Sequence, residues 1–332
     1  MLGESSMPPR TTNPGKTGVC ATASIARLLF AKGVRGEIVR KLQRRLAARG
    51  FDPQGIDGGY GENTRNAVLA FQQANGLRRT GEVDVTTWQR LMAAPSPSVR
   101  DRALQITAAF EGHDFTLAQG NFDGAGVTWG IIGFTLKHGE LGKIVLEIHK
   151  RAPKLVQQAF GAKADELVEI VRRPKPQQLA WANRISRGAQ KVRLAEPWRS
   201  GFRRFGELER VQKLQLQLVA RDYFRPAVQT GRRLGLTTEL GLALAFDIHV
   251  QNGGVSSSAQ EEIKQQMRAH PIASEQELRV IIANAVASQA KPQFREDVRS
   301  RKLTIATGAG SVHGAFFVLR NWGLAELPHK VK

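Results

Sequence analysis

The segment from Asn121 to Thr135, NFDGAGVTWGIIGFT, sets the tightest limit on what this 332-residue chain can fold into. Glycines at 124, 126, 130 and 133 permit tight turns, while Val127, Trp129, Ile131 and Ile132 favour extended backbone. The segment predicts a short β-hairpin. It interrupts a chain whose other patterns are helical. Just before it, Leu104, Thr107, Ala108 and Glu111 lie three or four apart, and Gly112 suits a helix end. Further upstream, Val39, Leu42, Leu46 and Ala47 form one apolar face, and Gly50 ends that helix. A second helix, capped by Asn63 or Thr64, carries Ala67, Val68, Ala70 and Phe71 and stops at Gly76. Asp84 caps a third, with Trp88 and Leu91. Ala93–Ser98, rich in proline and serine, reads as a connector. The expected fold class is mainly α (α+β). A tail (1–30) precedes a three-helix domain (31–93), a linker (94–99) and a two-lobed helical domain (100–332) with the hairpin at its cleft.

Several chemistries drop out at once. No apolar run approaches the ~20 residues of a membrane helix. A single cysteine, Cys20, excludes an internal disulfide framework and any multi-cysteine zinc site. The seven histidines show no metallopeptidase spacing, and neither a GxSxG elbow nor a P-loop is present, so no metal or cofactor is expected. Met1–Gly18 carries charges and prolines that make it a poor secretory signal.

Charge is the outlying quantity: 49 Lys and Arg against 29 Asp and Glu give +20. Such a field favours anionic polymers or lipids and opposes a polycationic substrate. Basic side chains crowd residues 150–235, including Arg203-Arg204 and Arg232-Arg233. They read as solvated helix faces, as a grip on an anionic wall polymer, or as a contact for anionic outer-membrane lipid. Nucleic acid is not expected, because the aromatics sit in turns and helical core positions rather than along a basic stripe.

Residues 39–88 contain V39-x-x-L42-Q43-x-x-L46, D57-G58-x-Y60-G61-x-x-T64, A67-V68-x-x-F71-Q72, G76-L77 and G81-x-V83-D84-x-x-T87-W88. This pattern resembles the peptidoglycan-binding domain of cell-wall hydrolases. The resemblance implies that the DGGYG loop and the helix after it shape a groove for the wall polymer. On that reading Asp57, Tyr60, Thr64 and Gln72 are wall-binding residues. The residues by themselves also read as core, with Asp57 ordering its own turn.

Glu111 ends a helix beside Phe110. The negative end of a helix next to an aromatic ring suits a carboxyl group that must hold a proton for glycosidic cleavage. Together with D123-G124-x-G126 and T128-x-G130-I131, it resembles the catalytic core of family 46 chitosanases, which share a fold with phage-type lysozymes. The resemblance implies Glu111 as general acid, Asp123 as general base and Thr128 as the residue that helps place the attacking water. It also implies an inverting mechanism, in which the carboxyls stand ~6.5–9.5 Å apart. F246-D247-I248-H249-V250-Q251-N252-G253-G254 echoes the family's segment near the cleft, so Asp247, His249, Gln251 and Asn252 either line sugar sites or simply end a helix. A weaker echo follows at Gly308–Gly314 and Asn321–Leu324. Ala125 stands where chitosanases carry a basic residue. His113 reads as cleft or surface.

A basic enzyme with a wall-binding domain suits peptidoglycan better than chitosan. The function expected is therefore that of a modular endolysin, a monomer cutting peptidoglycan glycan strands. It would accumulate in the host cytoplasm and act at the wall after holin-type release. Alternatives are a chitosanase, a lytic transglycosylase, or a non-catalytic basic protein binding wall or nucleic acid.

Overall fold

In the three-helix domain, each helix buries one stripe and hydrogen-bonds the next element with a polar side chain in that stripe. In the computed structural model, which describes residues 27–112 and 114–329, helix α1 (Glu37–Ala47) buries Val39, Leu42, Gln43 and Leu46. Helix α2 (Glu62–Ala74) buries Thr64, Ala67, Val68, Phe71 and Gln72, and α3 (Val85–Met92) buries Thr87, Trp88 and Leu91. Asp84 caps α3 as its sequence position predicts, accepting from Thr87 N at 2.6 Å. Helix α2 instead begins after Gly61, without a side-chain cap. Thr64 is unavailable for capping because its hydroxyl donates to Gly59 O and accepts from Gln43 Nε2.

The domain starts earlier than its helical pattern suggests. Strand β1 (Leu28–Phe30) pairs antiparallel with β2 (Val83–Asp84), so residues 28–30 belong to the domain and not to a tail. Residues 1–26, with Cys20, and His113 lie outside the described residues. The connector is short and tied down. Trp88 Nε1 donates to Pro95 O, and Ser98 and Asp101 form a reciprocal capping box at the start of α4 (Val99–Glu111).

After α4 the chain enters a three-stranded antiparallel sheet of β3 (Ala118–Gln119), β4 (Thr128–Trp129) and β5 (Phe134–Thr135). The expected hairpin is β4–β5; β3 is an addition. It forms because Asp114 Oδ1 takes the N–H groups of Thr116 and Leu117 and straightens the chain after the turn. Gly120 then passes so close to Lys191 O that a Cβ there would lie 2.3 Å from it. The first lobe comprises this sheet, α5 (Glu140–Arg151), α6 (Pro153–Phe160), α7 (Ala164–Ile170), α8 (Lys175–Ile185), the hairpin β6 (Ser186–Arg187) and β7 (Arg193–Leu194), α9 (Trp198–Glu207) and α10 (Glu209–Leu218). Its core is aromatic: Trp129 stacks on Phe205 at 5.4 Å and donates its indole N–H to Phe202 O.

Helix α10 runs through a π-helical turn, Val219–Phe224, into α11 (Arg225–Arg233), joining the lobes without a loop. Pro226 offers no N–H to the carbonyl of Asp222, and the widened turn accommodates that loss. The second lobe surrounds α12 (Glu239–Asn252), whose residues 239–248 are all buried. Around it pack α4, α11, α14 (Glu275–Ser288) and α15 (Arg295–Thr307), with α13 (Ser257–Ala269) packed on α14, followed by the hairpin β8 (Ala309–Val312) and β9 (Ala315–Val318). No helix among the described residues is long and apolar enough to cross a membrane.

The small domain docks firmly on this body. Arg102 and Glu239 form a buried pair at 2.9 Å that Arg27 joins, Arg40 reaches Asp114 at 3.2 Å, and Ala31 N donates to Asn321 O at 3.0 Å.

Candidate active site

Glu111 is the last residue of α4, at the point where the chain leaves the second lobe for the sheet of the first. Gly112 follows in the left-handed conformation, φ 64°, and lets the chain turn there. One turn back, Thr107 donates to Asp247 Oδ1 at 3.0 Å, which fixes the face that α4 shows to α12. Asp247 is 0% exposed. It accepts from Arg301 Nε at 3.0 and 3.1 Å, from another guanidinium nitrogen at 2.7 Å, and from Lys302 Nζ at 2.6 Å. The remaining guanidinium nitrogen of Arg301 donates to Glu111, whose side chain is 28% exposed. The Arg301 guanidinium also lies over the Phe110 ring. Glu111 is thus partly open at the lobe boundary and anchored from behind by a buried cation that Asp247 neutralises.

Burial alone would push the Asp247 carboxyl up. The charges of Arg301 and Lys302 and their hydrogen bonds outweigh it and hold the group well below the usual carboxylate range. Burial pulls Lys302 down to about 8, against the opposite effect of Asp247. Lys302 also donates to Gln251 Oε1 at 2.5 Å, and Gln251 Nε2 donates to Asp297. His313 closes the arrangement, with Nε2 2.6 Å from Asp297 and Nδ1 3.0 Å from Phe110 O.

On the sheet side, Asp123 sits exposed in its turn and accepts from Ala125 N at 2.9 Å through one oxygen. Thr128, on the middle strand between Gln119 and Thr135, is buried, and its hydroxyl has no hydrogen-bond partner among the described residues. A buried hydroxyl without a protein partner is costly unless a water or substrate atom completes it.

Four residues expected to line sugar sites divide. Asp247 is interior and binds Arg301 and Lys302, so it cannot touch a sugar. Gln251, on the same face of α12, joins the network through Lys302. His249 points the other way, to Thr230 Oγ1 at 2.9 Å on α11; burial and then Arg233 lower its pKa. Asn252 is exposed at the helix end before Gly253, φ 72°, as the helix-end reading has it.

Three of the four wall-binding candidates are likewise interior. Tyr60 donates its hydroxyl to Gly81 O, and Thr64 is bonded to Gln43 and Gly59. Gln72 accepts from Thr80 N and Gly81 N and donates to Glu82 O. Their side chains hold the domain's loops together and face no polymer. Gln72→Leu is expected to cost about 1–3 kcal/mol, because it strands these backbone groups; denaturant unfolding checks it. Asp57 alone is exposed, with its carboxyl held below the usual range by Gln43 Nε2 and Gly59 N, each at 2.8 Å.

Arg301, Lys302 and Asp297 are not identifiable as site residues from their own stretch, and His313 is signalled only by the weak echo over Gly308–Gly314. Arg301-Lys302 reads as one more basic pair among 49 Lys and Arg, and nothing local says that it is buried. Among the described residues no cluster of His, Cys, Asp and Glu could hold a metal ion.

Comparison with known proteins matches this architecture. Residues 35–91 match the peptidoglycan binding domain, and residues 108–277 match glycosyl hydrolase family 46. A probable N-acetylmuramoyl-L-alanine amidase of Bacillus licheniformis is 34% identical over 87 residues, which is 26% of this chain and 25% of that protein. The chain thus spans only about a quarter of that relative's length. Among solved structures, a mutant chitosanase of Bacillus subtilis MY002, complexed with 6 GlcN, superposes with a TM-score of 0.51 at 16% identity. That match covers 67% of this chain and 98% of the other. A Gynuella sunshinyii GH46 chitosanase in complex with chitotetraose gives 0.43 at 18% identity, over 68% and 99%. With the matched catalytic segment spanning half its length behind a peptidoglycan binding domain, the chain belongs to glycosyl hydrolase family 46 and is a glycoside hydrolase.

Proposed function

We propose that this enzyme hydrolyses the β-1,4-linked glycan strands of bacterial peptidoglycan, by inversion, as a monomeric modular endolysin. The observation that carries the chemistry is the position of Glu111: partly open at the lobe boundary, on a helix end fixed by the buried Arg301–Asp247 pair. In the proposed reaction Glu111 gives its proton to the glycosidic oxygen as the bond to the anomeric carbon breaks. Asp123 takes a proton from the attacking water, whose oxygen bonds to that carbon from the opposite face. The unpartnered hydroxyl of Thr128 supplies a hydrogen bond to that water. Asp123 favours hydrolysis over transglycosylation, which needs no base to activate water.

The substrate reading rests on charge and on the docked wall domain. A protein of net charge +20 repels a polyamine and attracts a polymer bearing stem-peptide carboxylates. Release to the wall through a host-membrane hole follows from the endolysin reading, and contact of the basic helices with anionic outer-membrane lipid would assist it. Chitosan is the second reading, because the family is that of chitosanases. Mass spectrometry of soluble products from purified peptidoglycan and from chitosan separates the readings. Reducing-end muramic acid fragments are expected. Anhydro-ended fragments would make the enzyme a transglycosylase, and chitosan oligomers with untouched peptidoglycan would overturn the substrate.

A further inference from the structure

A cavity of about 490 Å³ lies where the small domain meets the catalytic domain. One wall is the DGGYG loop with Arg35 and Asp57; the other is Ala109, Gly112 and Asp114. Gly112 directly follows Glu111, so this cavity abuts the end of the helix that carries the proposed acid. Its walls are bare of side chains over much of their extent, since Gly58, Gly59, Gly61 and Gly112 all contribute. Bare backbone lets a ligand's amides and hydroxyls approach closely.

The two walls are held as one piece. Arg40 of α1 grips Asp114, in the turn that leads from Glu111 into β3, and Gln105 of α4 accepts from Ile38 N. Behind them the buried Glu239 binds Arg102 and Arg27. An aromatic chain runs in parallel: Arg35 lies over Phe317, Phe317 packs edge-on against Phe110 at 4.8 Å, and Arg301 lies over Phe110. Arg35 is exposed and forms no ion pair among the described residues. Its guanidinium is therefore available to a carboxylate.

We infer that this junction cavity is a subsite for the same glycan strand that is cut at Glu111, with Arg35 receiving a stem-peptide carboxylate. The small domain is then a fixed wall of an extended cleft, not an anchor on a flexible tether. This inference rests on the peptidoglycan reading above. Chitosan, which lacks both N-acetyl amides and carboxylates along most of its length, would gain little from such a site.

The test uses the full chain and narrows the cavity from each side. Gly61→Leu enters from the small domain, where an added Cβ meets nothing within 4 Å. Ala109→Leu enters from the helix, and Arg35→Ala removes the cation. Turnover on intact sacculi is compared with turnover on short soluble disaccharide-peptide oligomers, and binding to sacculi is followed by co-sedimentation. The sacculus-to-oligomer ratio of kcat/KM and the bound fraction should both fall, the ratio by about tenfold or more, a loss of roughly one contact's worth of affinity. An unchanged ratio with unchanged binding overturns the inference. So does a fall confined to the small-domain variants, which would leave the helix wall out of the site. Unfolding midpoints identify any variant that has lost its fold, and the variants from the opposite wall then decide. If the wild type binds sacculi without cutting them, the peptidoglycan hydrolase reading fails, and the binding comparison alone judges the subsite.

Discussion

Glu111→Gln is expected to lower hydrolysis by about 10²–10⁴-fold, the contribution of a positioned general acid, while binding to purified peptidoglycan persists. Glutamine keeps the shape of the side chain and can still accept from Arg301, so the packing of α4 on α12 should survive. What it lacks is a proton to give the leaving oxygen. Turnover is read from the release of reducing ends, and the fold from unchanged unfolding. Near-full activity in this variant would remove Glu111 from the mechanism. Equal loss of binding and activity would mean that the residue holds substrate and does not protonate it.

Asp247→Asn should be the most damaging change to stability. It leaves Arg301 and Lys302, both 0% exposed, without the carboxylate that compensates them. Stranding one side of a buried ion pair typically costs ~3–5 kcal/mol. Lys302, already pulled down to about 8, can relieve part of this by losing its proton. The double variant Asp247→Asn/Lys302→Met should therefore be less destabilised than the single one. Denaturant titration of the two decides the matter, and equal losses would show that charge is not the cause. Hydrolysis should also fall in Asp247→Asn, because Arg301 is then neutralised only by Glu111.

The same network gives the enzyme a pH signature. The Asp247 carboxyl titrates lower in the folded chain than its ordinary value of 3.8. Its stabilisation is therefore complete above that value and is lost as pH falls below it. Lys302 is also depressed, so the unfolded chain binds more protons than the folded one between about 8 and 10.5, and this group's contribution rises with pH across that window. Thermal unfolding against pH should show the acid-side loss in the wild type and a shallower one in Asp247→Asn. An identical acid limb in both would assign the loss to other carboxylates.

Local signals carry much of the architecture. The cap at Asp84, the stop at Gly112 and the β4–β5 turn follow from nearest-neighbour chemistry, and a single chain segment contains all the residues that decide them. The Glu111, Asp123 and Thr128 pattern is visible for the same reason: one continuous stretch of chain holds both carboxyls and the hydroxyl. Tyr60, in a loop, and Thr64 and Gln72, on α2, are harder, because a polar side chain looks alike in sequence whether it faces solvent or satisfies a neighbouring loop's backbone. Only the packing of α1, α2 and α3 shows that their partners lie inside the domain.

Periodicity, turn chemistry and charge are enough to specify a small helical domain, a larger helical domain with one short sheet, and a field that favours anionic polymers. What stands behind Glu111 follows only from the packed chain. Asp247 and Arg301 are separated by 54 residues and Glu111 and Arg301 by 190, and burial turns an ordinary basic pair into the anchor of the site. Packing also fixes the small domain against the catalytic domain, through Arg40 on Asp114 and Arg27 on Glu239. Charges so far apart in sequence give no local pattern; their pairing is enforced only where folding removes them from water and leaves each other as the sole partners.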